Sequence, residues 1–103
     1  MPIPKTVLIA GMTFEIIEEE TRSMVETGAI GEFHRETQKI YLKPDLSPGL
    51  KRSTLIHEIL HAIFYTSGVQ LTHAEEERCV AGLESVVFRW LQDNKIGWVR
   101  EAE

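Results

Sequence analysis

His57-Glu58-Ile59-Leu60-His61 lies in a stretch whose apolar residues Leu55, Ile56, Ile59, Leu60, Ile63 and Phe64 recur at helical spacing. That segment has to be a core helix, and the helix has to carry two imidazoles and a carboxylate within a largely buried surface. Burying such groups without partners is costly, so they require a reason to be there. Ser47-Pro48 is a start signal, with Ser as the N-cap and Pro as the first helical residue. The spacing predicts a helix from about 48 to 66, stopped by Gly68.

Two histidines four apart stand one above the other on a helix face, where both rings can share one metal ion. Glu58 follows His57 by roughly 100° of rotation, near enough to reach a water held by that ion. Two nitrogen ligands, a polarised water and a general base make the minimal set for metal-assisted hydrolysis. The plain alternative is a pair of core histidines satisfied by neighbouring side chains.

At 103 residues the chain is expected to be one domain spanning 1–103. A net charge of −5 with no basic block argues against nucleic acid or an anionic membrane surface as partner. The single cysteine, Cys79, allows no internal disulfide, and its apolar neighbours favour packing over reactivity. The N-terminal residues do not read as a signal peptide, and no stretch approaches the roughly 20 apolar residues of a membrane span. A cytoplasmic protein is expected.

Thr6 to Ile9 and Thr13 to Glu18 read as strands around an Ala10-Gly11 turn. Ile30 to His34 and Lys39 to Leu42 read as a second pair, joined by the polar turn Arg35 to Gln38. Thr72 caps a second helix from about 73 to 93, with Glu75, Glu76 and Glu77 favourable in its first turn. Trp98 and Val99 are candidates to fold back onto the body or to form a dimer contact; the residues after them are expected to fray. The oligomeric state is left open.

A catalytic zinc site takes three protein ligands as a rule. On the second helix Cys79, Val80, Leu83, Val86, Val87, Trp90 and Leu91 form an apolar stripe, and Glu76 falls at its centre. Glu76 is therefore the favoured third ligand. A one-residue error in phase transfers the role to Glu75 or Glu77, and Glu84 lies off the centre. His73 competes, because three histidines also make a sound site. His34, in the second hairpin, reads as a cross-strand surface residue.

The run Thr54 to Ile63, preceded by Lys39 to Leu42 and followed by Glu75 to Leu83, resembles a zincin-type metallopeptidase. More narrowly it resembles the small ImmA/IrrE-like domains of bacteria, phages and mobile elements, over roughly residues 28–92. The resemblance implies an α+β fold, with a small antiparallel sheet packed on the H-E-x-x-H helix and a second, C-terminal helix. It implies Zn2+ held by His57, His61 and Glu76, with Glu58 as catalytic base. It also implies a peptide or protein substrate, transcriptional regulators among them. Two features depart from the family pattern: there is no helix-turn-helix segment, and Cys79-Val80 stands where an Ala-Asn pair often follows the ligand Glu. A SprT-like zincin, with a third His, is the neighbouring family and would promote His73.

The expected reaction is zinc-dependent peptide hydrolysis with Glu58 as base. Tyr65, His73 and Arg78 are candidates to steady the oxyanion. An exposed strand at 30–34 or 39–42 is a candidate to pair with substrate. The rivals are a catalytically silent zinc-stabilised binding module and a metal-free interaction protein.

Overall fold

Alternation of burial builds the sheet. In a computed structural model that describes residues 2–99, β1 (Thr6–Ile9) and β2 (Met12–Ile17) form the expected hairpin. Its turn puts both Ala10 (φ 52°) and Gly11 (φ 79°) in the left-handed region, as a two-residue hairpin turn requires. β3 (Gly31–His34) and β4 (Lys39–Leu42) form the second hairpin. Phe14 and Ile16 of β2 and Ile40 and Leu42 of β4 point to one side and are buried.

The α+β expectation holds, but the sheet is mixed rather than wholly antiparallel. Its order is β1-β2-β4-β3, and β2 runs parallel to β4. A parallel pair cannot be closed by a tight turn and needs a crossover. Here the crossover contains a short helix, α1 (Arg22–Thr27), which the sequence reading left out. Thr21 caps it by accepting from the Met24 N–H, and Gly28 closes it at φ 77°. Six residues with Met24 alone buried leave too little periodicity to read. The cap residues were the only local signal.

The two long helices match their expected positions. α2 spans Pro48–Ser67 and α3 spans His73–Asp93. Leu55 and Ala62 of α2 join the sheet cluster with Phe14, Ile40 and Leu42. Ile56 and Leu60, on another face of α2, pack with Val80 of α3 and with Val99. α2 is thus held between the sheet and α3. Trp98 packs against both clusters and Val99 is buried, so these two residues fold back onto the body. The expected fraying concerns residues beyond the described ones. Among the described residues no helix is long and apolar enough to cross a membrane.

The stripe expected on α3 is corrected. Val80 is buried, and Val87, Phe88 and Leu91 pack beside it, whereas Cys79, Leu83, Val86 and Trp90 are exposed. The packed face is rotated by roughly 70° from the one read off the sequence, at 100° per residue. This rotation decides which acids turn inward.

Candidate metal centre

α2 is anchored at both ends. Ser47 Oγ accepts from the Leu50 N–H, and Gly68 ends the helix at φ 76°. Between these anchors His57 and His61 stand with ring centroids 5.0 Å apart. The first turn of α3 faces them, fixed by a reciprocal cap. The Thr72 hydroxyl accepts from the Glu75 N–H at 3.1 Å, and the Glu75 carboxylate accepts from the Thr72 N–H at 2.8 Å. The Thr72 backbone N–H, with its hydroxyl, holds the Glu75 carboxyl below its ordinary value. Glu75 is therefore committed to the cap. Thr72→Ala is expected to cost about 1 kcal/mol, measured as a fall in the urea midpoint; an unchanged midpoint would mean the cap contributes nothing.

One group among the described residues has the spacing to hold a metal ion: His57, His61 and Glu77, whose ligand atoms all lie within 4.8 Å of one another. Glu77 Oε1 is 3.1 Å from His61 Nε2. Two imidazole nitrogens and a carboxylate suit a divalent transition metal, and three protein ligands leave room for water or substrate. The donor set thus fits the group that the sequence pattern implies.

Glu76, the favoured third ligand in the sequence reading, meets the other nitrogen of the same ring, with its Oε2 2.6 Å from His61 Nδ1. Glu84 Oε1 lies 2.7 Å from His57 Nδ1. Periodicity pointed to an inward acid at the start of α3, and the rotated phase brings in Glu77 and Glu84. The signal available for them was position relative to Val80, Val87 and Leu91 rather than to Val86 and Trp90. His73 is exposed and lines the cavity without joining the metal-binding group. His34 packs on the Tyr41 ring, 4.8 Å between centroids, and donates to Glu32.

Glu58 is 6 % exposed and lines the same cavity, of about 420 Å³, as His57, His61, His73 and Glu77. Burial pushes its carboxyl up to about 7 in the metal-free protein; the positive field of His57 and His61 opposes the rise, and Glu77 and Glu32 add to it. Glu32 behaves differently. Burial raises it, but hydrogen bonds from His34, Thr21 and Ser23 together hold it below its ordinary value.

β3 passes close behind the acid because residue 31 has no side chain. A Cβ there would stand 2.7 Å from Thr54 Cγ2 and 3.0 Å from Glu58 Oε2. Gly31→Ala is expected to cost about 1–3 kcal/mol through overpacking and to displace the Glu58 carboxylate. A urea midpoint and a Glu58 titration both equal to wild type would contradict this.

The central cavity shares His57, Glu58, Ala29 and Gly31 with a neighbour of about 280 Å³ that also meets Leu50 and Ile30. On its other side it shares Phe33, His61 and Glu76 with one of about 350 Å³, lined also by Arg35 and Tyr65. The three share lining residues and follow β3 from Gly31 to Phe33. A further cavity, of about 850 Å³, lies against β1 and β2 and contains none of these residues.

The family model of the IrrE N-terminal-like domain (Peptidase_M78) matches residues 15–81. No curated protein and no solved structure matches the chain. The matched span runs from β2 into α3 and takes in His57, Glu58, His61, Glu76 and Glu77, but not Glu84. It covers well over half of the 103 residues, and the chain belongs to the IrrE N-terminal-like family of metallopeptidase domains.

Proposed function

We propose that this chain is a zinc-dependent peptidase, with His57, His61 and Glu77 holding the ion and Glu58 acting as general base. The observation that carries the reading is the convergence of those three ligand atoms within 4.8 Å at the cavity that holds Glu58. When bound, the ion supplies Lewis acidity, which makes water nucleophilic near neutral pH and polarises a carbonyl. Glu58 receives the proton lost by the attacking water and returns it to the departing amine.

The sheet order leaves β3 as an edge strand and places β4 between β2 and β3. Of the two strands first considered for substrate pairing, β3 alone therefore has a free edge. A peptide added there would lie along the run of cavities, its main chain hydrogen-bonded and its side chains in the flanking spaces. Of the three candidates for steadying the oxyanion, His73 shares the cavity of Glu58. Tyr65 lines the adjoining one, packed on Phe33 with ring centroids 6.0 Å apart, and Arg78 is exposed. The substrate in this reading is an extended segment of a peptide or protein, with regulatory proteins of the same compartment as candidates.

The test is incubation of zinc-loaded protein with a mixture of unstructured peptides, followed by mass spectrometry. Cleavage that stops with a chelator and returns with zinc is expected. Intact peptides under all conditions, from protein that binds zinc, would leave a binding module in place of a peptidase.

A further inference from the structure

α3 brings three carboxylates to the two histidines, and they do different things. Glu77 stands at His61 Nε2 and belongs to the metal-binding group. The other two meet the histidines at Nδ1: Glu84 at His57, 2.7 Å, and Glu76 at His61, 2.6 Å. Both contacts cross from α2 to α3, between residues 27 and 15 positions apart. Neither is a chance neighbour on one helix surface. The side chains of His61 and Glu76 are 12 % and 29 % exposed, which reduces screening by water.

An ionised carboxylate only accepts hydrogen bonds, so in each pair the ring must donate from Nδ1. A neutral imidazole has a single N–H. Holding it at Nδ1 fixes the rotation of the ring and leaves the Nε2 lone pair free at His57; at His61 the Glu77 carboxylate, 3.1 Å from Nε2, competes for the proton until a metal takes its place. An imidazole in water mostly carries its proton on Nε2, where it would block a metal.

We propose that Glu84 and Glu76 are positioning residues, each holding the Nδ1 proton of one histidine so that both rings present Nε2 to the ion beside Glu77. The inference rests on the reading of this site as a metal centre. It gives the inward-facing Glu76 a role other than ligand, and it assigns one to Glu84, which lies beyond the span matched by the family. A carboxylate partner also makes the ring a stronger donor. Losing such a partner commonly weakens metal binding 10- to 100-fold.

Long-range proton–nitrogen spectra of the metal-free protein, at a pH where both rings are neutral, read the tautomers directly. His57 is expected as the Nδ1–H form in the wild type, and His61 as a mixture shared between Glu76 at Nδ1 and Glu77 at Nε2 that becomes wholly Nδ1–H once zinc is bound. Glu84→Ala should return His57 to a mixture rich in Nε2–H and leave His61 unchanged, and Glu76→Ala should do the converse. Zinc affinity, from competition with a chromophoric chelator, should fall about 10- to 100-fold in each with stoichiometry retained. Glu84→Gln and Glu76→Gln, whose amide oxygens still accept, should restore the tautomer and part of the affinity. These milder variants decide the matter if an alanine variant unfolds. Unchanged tautomers in both alanine variants would overturn the proposal, as would unchanged affinity. Loss of zinc stoichiometry in Glu76→Ala with the His61 tautomer intact would instead make Glu76 a ligand. If the wild type took up no zinc, the metal-centre reading would fall, while the tautomers would still report on the two pairs.

Discussion

Glu58→Gln is expected to lower peptide cleavage by roughly 10²- to 10⁴-fold while leaving zinc binding intact. The amide keeps the shape of the acid, which matters because Glu58 is 6 % exposed and packs behind the Gly31 backbone. It cannot take up the proton of an attacking water. The group that could hold an ion is His57, His61 and Glu77, so the substitution removes none of its atoms. Rate and metal content measured on one preparation separate the two roles. Cleavage at the wild-type rate would show that Glu58 is not the base. Loss of zinc together with activity would show that it belongs to the ion's coordination.

The same variant should have the opposite effect on metal-free stability. The Glu58 carboxyl titrates at about 7 in the folded chain, against an ordinary value of 4.5, chiefly because burial penalises its charge. The folded state therefore binds this proton more tightly than the unfolded state does. Its stabilising contribution is complete below pH 4.5 and is lost as the pH rises towards 7. The gap corresponds to roughly 3 kcal/mol, reduced in practice wherever the site relaxes. Metal-free wild type should thus lose stability across this window relative to Glu58→Gln, and the variant should be the more stable at pH 8. Urea midpoints of both proteins from pH 5 to pH 8 test this, since titrations common to both cancel in the difference. A difference independent of pH would show that Glu58 carries no raised proton affinity.

Much of this was legible because the signals were local and reinforced one another. Ser47-Pro48 and Gly68 bracket α2, and Thr72 with Glu75 opens α3; each is a cap whose chemistry is complete within four residues. β2 and β4 alternate in burial, and the hairpin turns carry left-handed residues. What was missed depended on tertiary packing. The parallel β2–β4 pairing has no sequence marker of its own. The inward face of α3 was misjudged because Val86 and Trp90 are apolar yet exposed, and apolar content alone drew the stripe towards them. That displacement favoured Glu76 over Glu77 and left Glu84 aside. The H-E-x-x-H residues were not subject to the same error, because a spacing of four on a helix fixes their relation whatever the helix packs against.

The central claim is that α2 and α3 together build a metal centre, and the most direct measurement is the metal content of the dialysed protein. Mass spectrometric analysis of the wild type after zinc loading should give about one zinc per chain. The His57→Ala/His61→Ala variant should give none, and Glu77→Ala should be far weaker than Glu76→Ala. Absence of zinc from a folded wild type, even after addition of excess metal, would contradict the account, and so would equal zinc binding by the wild type and the double-histidine variant.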